Sequence, residues 1–252
     1  MEIPLLEDDL GHAALLDPHR VVPRGVRLPE RAVLCFFPEV VAGVEPVRTV
    51  HLSSELGPWP VHVVERGGVE VAVLQPGVGA PLSVIFLEEL IALGVRNVVA
   101  VGGAGSLVPE LTVGHAVVVD SALRDEGTSF HYLPAGRIVE ADPAGVAALT
   151  AALGDLPFVT ARTWTTDAVF RETRTRVDRR VAEGCVVVDM EASALIAVAR
   201  HRGVRLAHLL FAGDSLAGQE WEHRGWTRAA DIRAGLFEIA CRAVCEWSAP
   251  DW

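Results

Sequence analysis

The sequence of 252 residues predicts one α/β domain, residues 1–252, in which helices cover a mixed and strongly twisted sheet. Stretches typical of strands and of helices alternate along the chain, which is the pattern of this fold class. The valine-rich runs are too continuous for a sheet with one face in water. No repeat, low-complexity tract or Pro/Ser-rich linker divides the chain, and half of its residues are apolar. This length and composition predict a sizeable single core.

Eight apolar runs predict the strands, and a glycine pair predicts a turn between two of them. The runs are Ala32–Phe37, Val61–Val64, Val69–Leu74, Asn97–Val101, Ala116–Asp120, Val159–Trp164, Cys185–Val188 and Leu206–Phe211. Between the second and third runs, Arg66-Gly67-Gly68 is typical of a hairpin turn.

Four segments have the spacing of helices, and three of them end at a glycine. They are Pro81–Leu93, Pro143–Leu153, Glu191–Arg202 and about Thr227–Trp247. Gly94, Gly154 and Gly203 follow the first three, where a left-handed cap residue is favoured.

Charge and cysteine usage exclude several classes of protein. The formal net charge of −11 and the pI near 5.3 argue against nucleic acid as a partner, because a phosphate backbone needs a basic face. The four cysteines form no CxxC pair and no metal-like spacing with histidine, so we expect no metal site. The start of the chain is acidic and no apolar run reaches the length of a membrane span. We therefore expect a cytoplasmic protein without a membrane partner.

Two glycine-rich segments follow predicted strands, where active groups of open α/β sheets collect. Gln75–Pro81 contains Gly77 and Gly79 before a helix, and free amides at a helix start can hold an anion or a sugar hydroxyl. A plain tight turn explains this segment equally well. Val101–Ser106 carries three glycines, including Gly102 and Gly103, and we predict that their exposed N–H groups line a pocket.

Two acidic residues follow the later strands. Glu191 lies at the start of a predicted helix, which favours its ionised form, and a carboxylate there can accept two hydrogen bonds from a ribose diol. The alternative is that Glu191 only caps the helix. Asp214 ends a very apolar strand, and partial burial would raise its pKa so that it could protonate a departing base. The alternative for Asp214 is a turn or helix cap.

Taken together, these segments resemble the nucleoside phosphorylase superfamily, which includes purine nucleoside phosphorylases, uridine phosphorylases and nucleosidases. The resemblance extends from about Val69 to Leu216. The matching motifs, in chain order, are GVGAP with the following Glu88-Glu89-Leu90, VGGAG, RDEGTS (Arg124–Ser129), DMEASAL (Asp189–Leu195) and GDSL.

The resemblance implies a three-layer α/β/α fold, a homo-oligomer (trimer or hexamer) and a set of substrate-binding residues. It implies that Met190 packs on the ribose, that Glu191 binds its hydroxyls and that Asp214 protonates a leaving purine. It also implies that Trp164, which precedes the segment ending at Phe170, stacks on the base, and we place Phe170 among the substrate-binding residues. A histidine near the start of the family chains reaches a neighbouring subunit's sugar, and His19 is the candidate here, with His12 behind it.

The chain departs from the family pattern where phosphate should bind. The family's loop after the first strand is replaced by Phe36–Val40, its arginine before the glycine segment by Ala100, and its phosphate-binding hydroxyl by Gly103. Phosphate recognition relies on bidentate, charge-assisted arginine contacts, so their loss puts phosphate binding in question.

Two explanations for the missing phosphate residues remain open. The first is that other arginines rebuild the anion site, with candidates Arg20, Arg24, Arg27 and Arg48. The second is that water is the nucleophile, as in the nucleosidase branch, with Glu39 as the residue that activates it.

The hypothesis is therefore cleavage of the N-glycosidic bond of a small-molecule nucleoside, with a purine favoured because of Asp214. No cofactor is expected beyond inorganic phosphate as a possible co-substrate. A pyrimidine enzyme, with Arg171 or Arg174 contacting the base, and a non-catalytic nucleoside-binding protein are the alternatives. The segment Gly218–Trp226 carries two tryptophans among charges, and we favour a subunit contact over a lid for it.

Overall fold

The structure is a computed structural model and describes residues 3–7, 9–55 and 57–247. In that part of the chain ten strands form a single sheet. They are β1 (Arg31–Cys35), β2 (Arg48–Ser54), β3 (Gly57–Arg66), β4 (Val69–Leu74), β5 (Asn97–Ser106), β6 (Ala116–Asp125), β7 (Ile138–Glu140), β8 (Phe158–Thr166), β9 (Cys185–Asp189) and β10 (Arg205–Ser215). The helices are α1 (Pro38–Ala42), α2 (Ala80–Ala92), α3 (Pro143–Leu153), α4 (Arg174–Ala182), α5 (Ala192–Arg202) and α6 (Ala230–Glu246).

The helices form a layer on each side of the sheet, so the expected three-layer architecture is confirmed. Helices α2 and α5 pack together on one face, over a core that contains Leu90 and Leu195. Helices α3 and α6 pack together on the other face, over a core that contains Leu149 and Phe237. Within the described residues, no helix is long and apolar enough to cross a membrane.

The sheet is mixed, and half of it closes into a ring that the sequence analysis did not predict. Strand β1 runs parallel to β4 and β5, and β5 runs parallel to β10. Strand β10 then pairs antiparallel with β6, β6 and β9 each run parallel to β8, and β9 returns to pair antiparallel with β5. The ring forms because β5 and β10 are longer than predicted and their ends reach extra partners.

The local signals for turns and helix ends have clear physical causes. Gly67 and Gly68 have φ values of 59° and 81° and join β3 to β4 as a two-residue hairpin turn. Helix α3 begins where the Asp142 side chain accepts a hydrogen bond from the Ala144 N–H at 2.9 Å. Helix α5 ends at Gly203, which is left-handed with φ 66°. The predicted hairpin turn and the predicted helix end at Gly203 are confirmed.

Two strands were missed, and both lie at the margin of the sheet. β2 pairs only with β3 and β7 only with β6 in the described structure. Six of the seven residues of β2 remain at least partly exposed, so this edge strand lacks the apolar run on which the strand predictions relied.

Candidate active site

A cavity of about 440 Å³ opens where strands β1, β5, β9 and β10 end. The ends of neighbouring parallel strands form a crevice of this kind in α/β folds. Six of the residues predicted to act on substrate line it together, namely Glu39, Gly102, Gly103, Met190, Glu191 and Asp214. They come from four separate parts of the chain, and the fold brings them together around one cavity.

The buried carboxylates Glu191 and Asp189 organise one end of the cavity. Asp189 caps α5, because its Oδ2 accepts hydrogen bonds from the Glu191 and Ala192 N–H groups at 2.9 and 2.6 Å. Its Oδ1 accepts from the hydroxyls of Thr163 and Thr165, each at 2.9 Å. The helix-capping alternative for Glu191 is therefore wrong, since Asp189 has that role and frees the Glu191 carboxyl.

The expectation that Glu191 is favoured in its ionised form is also wrong. Burial, with the negative charge of Asp189 added to it, raises the pKa of Glu191 to about 8. Burial also raises the pKa of Asp189, although its four hydrogen-bond donors oppose the rise. The N–H groups at the start of helix α5 stabilise the carboxylate of Asp189. The carboxyl group of Glu191 lies next to the negative charge of Asp189 and does not receive this stabilisation.

Gly79 holds Glu191 in place from the opposite side. Its N–H donates to Glu191 Oε1 at 2.6 Å, and its φ of 95° suits glycine. The Gly77 N–H donates to the Gln75 side chain at 2.9 Å. Neither amide is free for an anion, which corrects that prediction. In this segment Val78, between the two glycines, lines the cavity.

Asp214 is half-buried near the end of β10 and contacts the tryptophan segment. The Trp221 indole N–H donates to Asp214 Oδ2 at 2.6 Å. The segment folds back on β10, because Ser215 and Glu222 exchange two backbone hydrogen bonds of 2.9 Å. Trp226 lines the cavity itself. In this chain the segment therefore forms part of the wall beside Asp214, and a role in subunit contact stays a prediction.

Glu172 is a lining residue that the sequence analysis missed. It follows the short 3-10 helix Val169–Arg171 and is half-buried at the cavity. Burial and the negative charge of Asp214 raise its pKa to about 7. No motif points to it, because its role depends on the position of a residue 42 places further along the chain.

The glycine segment Val101–Ser106 is part of strand β5, although it was predicted to follow the strand. Gly102, Gly103 and Gly105 continue β5 in extended form, and neighbouring side chains pack closely against them. A Cβ on Gly102 would lie 3.2 Å from the Phe36 ring, and one on Gly103 would lie 3.1 Å from the Phe211 ring. The segment nevertheless lines the cavity.

An ion pair between distant residues forms the other end of the cavity. Arg233 on α6 donates from Nη1 to Glu39 Oε1 at 2.6 Å, although 194 positions separate them. Partial burial acts to raise the pKa of Glu39, but the hydrogen bond and charge of Arg233 outweigh it and hold the pKa below its ordinary value. Arg233 was missed because it lies in an amphipathic helix without any motif.

His208 lines the same end and is fully enclosed. Its side chain is 1% exposed, and neither ring nitrogen has a hydrogen-bond partner in the described structure. Burial lowers its pKa to about 3, so the ring is neutral at physiological pH. Its centroid lies 6.2 Å from that of Phe36 in a stacked arrangement.

Trp164 does not stack on a base, and that prediction is wrong. Its side chain is 0% exposed and it packs beneath α4, where its indole N–H donates to Asp125 at 3.0 Å. Arg180 lies 5.4 Å from its ring centroid. A side chain enclosed in this way has no face left for a ligand.

Phe170 and His19 also lie outside the cavity. Phe170 is 97% exposed, because the short helix turns it to the surface while Val169 lines the cavity. The prediction that Phe170 contacts the substrate is therefore wrong for a site formed by a single chain. His19 lies in a second cavity beside Arg24 and Arg96, and its predicted contact with a neighbouring subunit stays a prediction.

None of the arginines proposed earlier reaches the main cavity within this chain. Arg24 and Arg27 lie at the second cavity, and Arg48 contacts the Arg27 carbonyl and Glu70. Arg174 donates to the backbone carbonyls of Leu216 at 2.8 Å and of Ala217 and Gly218, which fixes the loop after Asp214. Arg174 is thus occupied by the loop and does not contact the site.

A sequence profile of the phosphorylase superfamily matches residues 30–244 of the chain. This span contains every element from β1 to α6 and the whole cavity. The chain therefore belongs to the phosphorylase superfamily, a family of enzymes that includes nucleoside phosphorylases and nucleosidases.

Among curated proteins, the chain is similar to a guanosine phosphorylase of Halorubrum lacusprofundi, with 27% identity over 85% of this chain and 83% of that protein. It is also similar to a uridine phosphorylase of Thermococcus kodakarensis, with 33% identity over 30% of this chain and 27% of that protein. Among solved structures, a uridine phosphorylase from Vibrio fischeri superposes with a TM-score of 0.73 at 21% identity, over 88% of this chain and 95% of that one. An AMP nucleosidase from Bacteroides thetaiotaomicron gives 0.68 at 20% identity, over 86% and 87%. These structures share the fold, and the names include both phosphorolytic and hydrolytic enzymes.

Proposed function

We propose that the protein cleaves the N-glycosidic bond of a nucleoside, with purine nucleosides preferred, and releases the free base. Phosphate or water is the nucleophile. The observation that carries this proposal is the presence of Glu191 and Asp214 in the lining of one cavity of about 440 Å³, which is large enough for a small ligand.

Each carboxyl group has a surrounding that suits its proposed role. Glu191 is held by the Gly79 N–H at Oε1, which leaves Oε2 for the ribose hydroxyls. Asp214 is held by Trp221 at one oxygen, which leaves the other for the departing base. Stabilising the leaving base while the sugar develops positive charge lowers the barrier to cleavage.

The preference for purines is supported by the acids near the base. N7 of a purine can accept a proton from Asp214, and Glu172 beside it provides a second carboxyl group with a pKa of about 7. A relative that aligns with 85% of this chain and 83% of its own length is named a guanosine phosphorylase.

A homo-oligomer, trimer or hexamer, is part of the proposal. Phe170 and Val78 are 97% and 67% exposed close to the cavity, and large apolar side chains grouped at a surface favour association. The cavity would then open near a subunit boundary.

The test is to incubate the protein with purine and pyrimidine nucleosides and to quantify the free base by chromatography. We expect base release from guanosine, inosine or adenosine to exceed release from uridine. Faster release from uridine would replace the purine preference with a pyrimidine one. Binding of a nucleoside without release of any base would overturn the proposed activity and favour a binding protein.

A further inference from the structure

The carboxyl groups of Glu172 and Asp214 line one cavity and are close enough for their charges to interact. Both residues are half-buried, so water screens that interaction only in part. Two carboxyl groups that share a partly dehydrated site do not both ionise readily, and one of them keeps its proton to a higher pH. In this protein, burial and the charge of Asp214 raise the pKa of Glu172 to about 7.

Arg174 fixes the segments that carry these two acids relative to each other. It begins α4, two positions after Glu172. Its guanidinium donates to the backbone carbonyls of residues 216–218, in the loop that follows Asp214, and the bond to Leu216 is 2.8 Å. The two carboxyl groups therefore meet through a defined contact between two parts of the chain, and their proximity does not depend on two side chains that only happen to lie at one surface.

The two acids differ in the hydrogen-bond donors that reach them. Trp221 donates its indole N–H to Asp214 Oδ2 at 2.6 Å, and such a donor favours the charged form of a carboxyl group. Within the described residues, no donor reaches the carboxyl group of Glu172. This asymmetry favours a charge on Asp214 and a proton on Glu172.

The lining of the cavity offers this pair no neutralising cation. Among the described lining residues, Arg233 is the one arginine or lysine, and its Nη1 donates to Glu39 Oε1 at 2.6 Å. The remaining lining carboxyl groups belong to Asp189 and Glu191 and bring no positive charge. A proton is therefore the available means of reducing the charge of the pair.

The charged groups just outside the cavity are engaged elsewhere or open to solvent. Arg174 forms an ion pair with Asp178 at 3.1 Å in addition to its contacts with the loop carbonyls. Arg171 is exposed, so water screens its charge. His223 packs edge-on against the ring of Trp221, with the two ring centroids 5.6 Å apart.

We propose that Glu172 and Asp214 form a carboxyl pair that holds one proton at neutral pH, and that Glu172 is the positioning residue from which Asp214 receives the proton for the leaving base. This inference rests on the proposed function, because it concerns the same departing base. At rest, Glu172 carries the proton and Asp214 is ionised.

The proposed step conserves protons and electrons. An oxygen of the nucleophile bonds to C1′ as the bond from C1′ to the base nitrogen breaks, and the electron pair of the broken bond leaves with the base. Asp214 accepts the proton of Glu172 and gives a proton to the base. Both carboxyl groups are then ionised, and the pair takes up one proton from solvent before the next turnover. A water nucleophile releases its surplus proton to solvent.

The first experiment detects the pair without turnover, by following the ¹³C resonances of the glutamate carboxyl groups across neutral pH. Glu172→Gln identifies the resonance of Glu172, because it removes that signal. We expect Glu172 to titrate near pH 7 and to titrate at lower pH in Asp214→Asn, which removes the neighbouring charge. A Glu172 carboxyl group that is already ionised well below pH 7, or that titrates identically in Asp214→Asn, would overturn the inference.

The second experiment measures the pH dependence of kcat/KM for base release from a purine nucleoside. Glu172→Gln leaves no second carboxyl group to retain the proton, so the basic limb should move to lower pH by about one pH unit or more. Glu172→Asp keeps a carboxyl group and should place the limb closer to that of the unmodified protein. Glu45→Gln, at an exposed glutamate on the loop after α1, is the matched control and should leave the limb in place.

The outcomes of the second experiment separate the inference from the proposed function. A basic limb that is the same in Glu172→Gln and in the unmodified protein would overturn the inference and leave the proposed function intact. Absence of base release from the unmodified protein at every pH would overturn the proposed function and the proton transfer with it.

The third experiment distinguishes proton supply from a purely structural role of Glu172. A riboside with a nitrophenolate leaving group needs no proton from the enzyme, so Glu172→Gln should leave its cleavage nearly unchanged while cleavage of the purine nucleoside falls above the shifted limb. An equal fall on both substrates would show that Glu172 only maintains the shape of the cavity, and would overturn the inference.

Discussion

The two ends of the cavity hold the same kind of side chain in opposite states. At the sugar end, Glu191 is buried beside Asp189 and its pKa rises to about 8. At the nucleophile end, Glu39 is half-exposed beside Arg233 and its pKa lies below the ordinary value. Burial acts to raise both pKa values, most strongly at the enclosed Glu191, where the charge of Asp189 adds to the rise, whereas at the half-exposed Glu39 the charge of Arg233 outweighs it. The comparison shows that burial and the nearest charged residue, and not residue type, set the protonation of a carboxyl group.

The two ends also differ in how closely they follow the family pattern. The sugar end keeps the motif DMEASAL, and its Asp189 accepts hydrogen bonds from Thr163 and Thr165 on the neighbouring strand β8. The nucleophile end departs from the pattern, and its arginine comes from a helix near the end of the chain. Within the proposal, the sugar-binding residues match the family motif, and the residues near the nucleophile depart from it.

The largest effect is expected from removal of the acid at the base. Asp214→Asn should lower kcat on a purine nucleoside by about 10²–10⁴-fold, the usual contribution of general acid catalysis. A riboside with a nitrophenolate leaving group needs no protonation, so its cleavage should fall far less. Asp155→Asn, at an exposed aspartate, is the control. An equal fall on both substrates would remove proton donation from the role of Asp214.

The next largest effect is expected in the pH dependence of the free energy of unfolding when Glu191 or Glu39 is replaced. Glu191 has a folded pKa above its unfolded value, so the stability it contributes is present below about pH 4.5 and is lost as pH rises through about 8. Glu191→Gln should therefore raise the free energy of unfolding at pH 8, by an amount on the order of 1–3 kcal/mol. Denaturant melts at pH 5 and pH 8 measure this difference.

Glu39→Gln should act in the opposite direction in the same melts. The folded pKa of Glu39 is lowered, so its contribution is present above its unfolded pKa and is lost as pH falls through its folded pKa. The substitution should reduce stability at pH 8 by a small amount, because the carboxylate is partly exposed. If Glu191→Gln and Glu39→Gln shifted the free energy of unfolding at pH 8 in the same direction, the contrast between these two carboxyl groups would be contradicted.

The smallest effect is expected in the choice of sugar. Glu191→Gln keeps an acceptor for the Gly79 N–H but weakens the contact with the ribose diol. The ratio of kcat/KM for a ribonucleoside over its 2′-deoxy analogue should fall by up to about 10-fold, the range of an ordinary hydrogen bond. An unchanged ratio would show that Glu191 does not contact the 2′-hydroxyl.

Local sequence was sufficient wherever a short segment determines its own conformation. The Gly67-Gly68 turn, the α3 cap at Asp142 and the helix end at Gly203 were predictable, because each depends on residues a few positions apart. The placement of Glu191 and Asp214 at strand ends was predictable for the same reason, since an apolar run followed by a polar residue marks where a strand reaches the edge of the core.

Other features depend on contacts between distant parts of the chain, and no local pattern carries them. Closure of the sheet through β5 and β9 enclosed Trp164, and the packing of α6 brought Arg233 to Glu39. The pairing of β5 with β10 placed His208 beside Ala100. The chain alone therefore predicts which groups are available for chemistry. Their protonation and their partners follow from burial and neighbouring charge, which exist only once the strands and helices have packed together.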